Sequence, residues 1–142
     1  MNIAKALKLK NRLAQKISEA QIDIQHENSV REDSPKRTNV ESVMEEYAKL
    51  TDQLIKLKVA IFVATTPVRE HILRLGELKS KVIFLKGINT TEGYVSDYEG
   101  KTLYVATYSK EDIRKIIVEC EDSIDKLQEE LDNFNYKNEI EV

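Results

Sequence analysis

The sequence predicts a mainly α protein: an antiparallel, coiled-coil-like four-helix bundle with a β-hairpin between helices 3 and 4. Three observations lead there. Two stretches, Val40–Ala64 and residues 113–134, carry apolar residues at alternating steps of three and four, the spacing of a helical seam. Only four glycines and two prolines occur in 142 residues, too few for the many turns of a sandwich or barrel. One stretch, residues 92–108, is rich in Val, Tyr and Thr and stands apart from its helical surroundings.

The first helix is read from Ile3, Leu7, Ala14, Ile17 and Ile24, with Ala6, Leu13 and Ala20 widening the stripe over about 25 residues. Polar residues and Ser34-Pro35 then end helical geometry, so residues 29–37 are expected to form a mobile loop. In the next helix Thr38 is the expected N-cap and Glu41 its reciprocating acid. Its seam is Val40, Val43, Tyr47, Leu50, Leu54, Leu57, Ile61 and Ala64.

Thr65-Thr66-Pro67 interrupts this helix. Pro67 suits a first helical position, and the threonines offer a fresh cap, which favours a reversal over a kink. The third helix shows Val68, Ile72, Leu75, Leu78, Val82 and Leu85 on one face. Gly76 inside it implies close approach of another helix or a tolerated flaw, and Gly87 is the expected C′ residue. The hairpin is placed at about 93–108, turning at Gly100. Two strands alone are marginal in water, so its apolar side must lie on the helices or on a second copy of the chain. Ser109 with Asp112 opens the last helix as a capping box. Its seam is Ile113, Ile117, Cys120, Ile124, Leu127, Leu131 and Phe134.

The chain is expected to form a single domain over residues 1–142. Hydrophobic residues make up 41% and charged residues 33%, too apolar for a disordered chain and suited to helices with wide solvated faces. The net charge of −3 excludes whole-chain basicity as a nucleic-acid signal. Charge is uneven, however. The first sixteen residues hold Lys5, Lys8, Lys10, Arg12 and Lys16 and no acid, whereas residues 119–141 are strongly acidic. Complementary neighbouring helices are the plain reading, and a basic helix for phosphate or anionic lipid is the sharper one. A single cysteine permits no intrachain disulfide. The basic N-terminal stretch lacks a continuous apolar run, and the run at 59–64 is too short to span a bilayer, so a cytoplasmic protein is expected.

Little in the sequence points to catalysis. His26 and His71 lack HExxH spacing and have no Glu three residues upstream, so neither metal nor other cofactor is expected. Cys120 sits on a seam and reads as a small buried hydrophobe. The four glycines are isolated, so no phosphate loop is expected. Tyr94, Tyr98, Tyr104 and Tyr108 are the candidate interface residues. Cross-strand packing, a protein interface and a base-stacking platform compete for them, and Lys101 and Lys110 alone give thin basic support for the last.

The stretches MNIAKALKLKNRLAQKI, NSVREDSP and KTLYVATYSKEDIRKIIVECEDSIDKLQEELDNFNY together resemble a family of uncharacterised, mostly bacterial helical proteins, some labelled septicolysin. The resemblance covers about two-thirds of the chain. It implies the same close: a strand, a Thr turn, a long helix and an aromatic after Asn, here Asn135-Tyr136. The middle departs from it, with VATTPVREH where the family carries an Asn-rich motif at the end of its second helix. The toxin label finds no pore-forming amphipathic hairpin and no exposed activating thiol to rest on.

The resulting expectation is a non-enzymatic, self-associating helical module, a homodimer joined through the hairpin edge and its tyrosines. An unidentified protein partner is the lesser form of the same reading. The alternative is a nucleic-acid or anionic-surface binder using Lys5, Lys8, Lys10 and Arg12. Nucleic acid is the less favoured partner, and no membrane association is expected.

Overall fold

The computed structural model describes residues 1–35 and 38–141. Lys36 and Arg37, at the end of the expected loop, lie outside the described residues. The chain is mainly helical: α1 (Ile3–Glu27), α2 (Val40–Ala64), a 3-10 turn (Thr66–Val68), α3 (Arg69–Lys86), β1 (Gly93–Asp97), β2 (Gly100–Tyr104) and α4 (Lys110–Lys137). This is the expected set of four helices, with a hairpin between the third and fourth. It divides into two compact units, one made of Met1–Pro67 and Asp132–Val142, the other of Val68–Leu131.

In the first unit α1 and α2 pack side by side. Ile3, Ala6, Leu13, Leu57, Ile61 and Ile140 are buried together, with Leu50, Leu54 and Phe134 packed around them. Ile3, at the start of α1, and Ile61, at the end of α2, share this core, as in an antiparallel pair. The centre of the α1 stripe is Ala6, Leu13 and Ala20, all buried, whereas Ala14 is exposed. The small Ala side chains let the helices approach where a larger residue would hold them apart. Asn2 caps α1 by accepting from the Lys5 N–H at 2.9 Å. The backbone of residues 1–3 then joins that of 138–140: Ile3 N–H donates to Asn138 O at 2.9 Å and Ile140 N–H to Met1 O at 3.1 Å. Ile3 is fully buried beneath this clasp.

Every seam residue of α2 faces inward to some degree, and Leu57 and Ile61 are fully in the core. Its cap lies one residue later than expected. Asn39, not Thr38, accepts from the Ser42 N–H at 3.1 Å. The threonines at the far end also act differently from expectation. Thr65 and Thr66 donate their hydroxyls back to Ile61 O at 2.8 Å and Phe62 O at 3.3 Å. They close α2, and α3 starts without a side-chain cap. Pro67 sits in the 3-10 turn, before the first residue of α3.

In the second unit Val82 and Leu85 of α3 pack with Ile113 and Cys120 of α4, and Leu78, Ile116, Ile117 and Ile124 surround them. His71, near the start of α3, lies 3.3 Å from Glu130, near the end of α4, so these helices also run antiparallel. Gly76 is not a contact point. A Cβ there would meet nothing within 4 Å, so the glycine is a tolerated flaw on an open face. Gly87 ends α3 in right-handed geometry, with φ −87°, and its freedom to adopt positive φ goes unused.

The open space at Gly76 makes a direct prediction. Gly76→Ala should stabilise the chain by about 0.5–1 kcal/mol, because Ala adds no clash and loses less backbone entropy. A thermal or urea melt that shows no gain would mean the open face is covered in solution.

Candidate functional site

The hairpin is shorter than its sequence suggested. Gly93 pairs with Tyr104, Tyr94 with Leu103 and Asp97 with Gly100, so the strands end at Tyr104 and residues 105–108 lie outside the ladder. Tyr98 and Glu99 form the turn. Gly100 at φ +119° and Gly93 at φ +90° take backbone geometry that disfavours any side chain. Asp97 organises the turn, accepting from the Glu99 N–H at 2.9 Å and from the Thr102 hydroxyl at 3.1 Å.

The pairing also decides where the tyrosines go. Successive residues of a strand face opposite sides. Tyr94 and Leu103 share one face, while Val95, Thr102 and Tyr104 share the other. Tyr98 lies at the tip, and Tyr108 follows the ladder just before Ser109. The four tyrosines therefore do not form one platform. Apart from Gly93, every residue of both strands is exposed, with Tyr94 at 72% and Leu103 at 54%. The Tyr94–Leu103 face is the more open one, whereas on the other Val95 and Tyr104 are 39% and 43% exposed.

The hairpin leads into α4 through the expected capping box. Ser109 N–H donates to Asp112 Oδ2 at 2.9 Å, and Asp112 N–H donates to Ser109 Oγ at 3.1 Å. These two bonds, backbone first, hold the Asp112 carboxyl below its ordinary value of 3.8.

The basic candidates all lie on α1. Lys5, Lys8 and Arg12 are exposed and, by helical period, share a face with Lys16; Lys10 is half-buried and points elsewhere. None of the four candidates forms an ion pair among the described residues. Cys120 is buried, as its seam position implied. Among the described residues no group of three His, Cys, Asp or Glu could hold a metal ion. No helix among them is long and apolar enough to cross a membrane.

Two surface features escaped the sequence reading. Ile55, Val59, Phe62 and Val63 form a second apolar stripe on α2, outside its seam, and each is more than half exposed. Ile55, Val59 and Val63 line a groove of about 660 Å³ that is edged by Lys56, Glu139 and Glu141. The signal was present in VAIFVA, a run apolar on every side of the helix. A smaller cleft of about 240 Å³ lies where the end of α3 meets the start of α4. No sequence pattern announced it, because its walls come from segments far apart in the chain.

No protein-family profile, curated protein or solved structure matches this chain.

The lowered carboxyl carries a pH prediction. A carboxylate whose folded pKa is depressed stabilises the fold above the unfolded value and ceases to as pH falls through the folded one. Wild type should therefore exceed Asp112→Asn in stability near neutral pH. The difference should shrink once pH drops below 3.8, as acid protonates the wild-type group. Parallel urea melts across the acid range read this directly, and a gap unchanged by pH would remove the carboxylate from the cap.

Proposed function

We propose that the chain is a cytoplasmic, non-enzymatic self-association module that dimerises through its hairpin. One observation carries the reading: a two-stranded hairpin with both faces exposed. Such a ribbon is marginal in water by itself. Its apolar side chains and unpaired strand edges are the two features that a second copy covers. The edge formed by β1 suits this role. Its one charge, Asp97, lies at the end of the strand, so two β1 strands laid antiparallel in register hold their Asp97 residues at opposite ends, whereas β2 carries Lys101 within the strand. The resemblance to the septicolysin-labelled family supports the fold expected here and adds no activity.

Light scattering should give a mass near twice 16.4 kDa. Tyr104→Asp combined with Tyr108→Asp should raise the dissociation constant at least about tenfold, or roughly 1.4 kcal/mol. A double variant that remains as dimeric as wild type would take the hairpin out of the interface.

A second reading rests on the unpaired face of Lys5, Lys8 and Arg12. Three exposed cations along one helical face form a stripe for a polyanion or an anionic surface. Retention on heparin should then fall steeply with salt, and it should be lost when Lys5, Lys8 and Arg12 become Glu. Elution of that variant at the same salt as wild type would end the reading.

A further inference from the structure

The cleft between the end of α3 and the start of α4 combines two kinds of wall. Leu85, Ile113 and Ile117 supply an apolar floor. Lys86, Lys110 and Arg114 stand around it, and no carboxylate lines it. Lys110 and Arg114 are one helical turn apart on α4, and Lys86 ends α3. Arg114 gives one nitrogen, Nη1, to Glu111 at 3.2 Å; a guanidinium has further donors to offer. Lys86 and Lys110 form no ion pair among the described residues.

Two of these cations are placed against the local electrostatics, whereas Lys86 sits at the favourable C-terminal end of α3. Lys110 and Arg114 lie in the first turns of α4, where the helix dipole presents its positive end and disfavours cations, a penalty that Glu111 and Asp112 in the same turn offset only in part. Three like charges around one small cleft also repel one another. An anion seated among them would relieve both penalties at once. The apolar floor adds a second preference: Leu85 and Ile113 are 5% and 6% exposed and Ile117 is half-buried, so a small apolar patch lies beside the cations. The volume holds about eight water-sized groups, at roughly 30 Å³ each.

We propose that this cleft binds a small amphipathic anion, a carboxylate or phosphate monoester joined to a short hydrocarbon or ring. The head sits among Lys86, Lys110 and Arg114, and the apolar part lies on the Leu85–Ile113–Ile117 floor. This site is separate from the tyrosines on which the dimer reading rests.

The test uses the full chain and four probes: hexanoate, hexyl phosphate, hexanol and inorganic phosphate. Amide shifts in NMR titrations locate binding, and their concentration dependence gives affinities. Hexanoate or hexyl phosphate should shift amides of residues 85–88 and 110–117, and the stronger of the two names the headgroup. Hexanol and inorganic phosphate should each bind at least about tenfold more weakly. Lys110→Glu with Arg114→Gln should abolish the shifts. Lys86→Gln, an exposed and milder change on α3, should weaken binding about threefold with the fold intact by circular dichroism. Lys49→Glu, an exposed position on α2 in the other unit, should change nothing. Equal binding of inorganic phosphate, shifts elsewhere in the chain, or full affinity in the Lys86 and Lys110/Arg114 variants would each overturn the assignment.

Discussion

The fold depends on apolar burial along two helical seams, and little else in the structure could replace it. The ion pairs Lys56–Asp52, Arg74–Glu70 and Arg114–Glu111 are local pairs on single helices, with both partners well exposed. Pairs of that kind contribute a few tenths of a kcal/mol at most and are weakened by salt. There is no disulfide, since Cys120 is alone. Hydrogen bonds outside regular elements serve mainly to end helices. What remains is the shared burial of Leu57, Ile61, Ile3 and Ala6 in one unit, and of Ile113, Cys120, Val82 and Leu85 in the other. At about 0.8 kcal/mol per buried methylene, such contacts are the main term opposing chain entropy.

That economy leaves much apolar surface uncovered. A helix buried on one stripe needs only that stripe to be apolar. Yet α2 carries Ile55, Val59 and Phe62 outside its seam, α3 carries Leu73, Ile83 and Phe84, and the hairpin carries Tyr94, Leu103 and Val105, all exposed. Scattered exposed hydrophobes are ordinary, whereas large contiguous apolar patches are uncommon on a monomer. The hairpin is the stronger case, because its backbone edges add a directional demand that a greasy helix face lacks.

The architecture was legible because a heptad seam is a long, redundant signal. In the α2 seam, no residue from Val40 to Ala64 is exposed; the α4 seam behaves alike, so its reading survived errors at single positions. Signals one or two residues wide fared less well. Thr38 and Asn39 are both good caps, and only backbone geometry chooses Asn39. Thr65 and Thr66 looked like a helix start, but a threonine hydroxyl can equally bond a carbonyl four residues back, and here it does. For Gly76 the sequence leaves a helix contact and a tolerated flaw open, and only three-dimensional packing decides for the second. The alternation of strand-like residues runs on to Tyr108 although the pairing stops at Tyr104, so composition alone overstates the ladder. The cleft at Lys86, Lys110 and Arg114 was invisible, since residues more than twenty apart in sequence meet there only through the packing of α3 on α4.

The segment from Gly87 to Ser109 therefore has a clear mechanical status. At one end it is tied to the core by Ile88, which packs with Leu85 and Ile113. At the other end the Ser109–Asp112 box fixes the first turn of α4. Between these anchors the ribbon is held by its own ladder, by Asp97 at the turn and by two glycines in positive φ. A ribbon so little supported has low local stability, and low-stability segments are the ones whose order responds most to a partner. Whatever covers its faces would stabilise the ladder directly. The core seams need no such help, so association and ordering of the ribbon can be coupled while the helices stay folded.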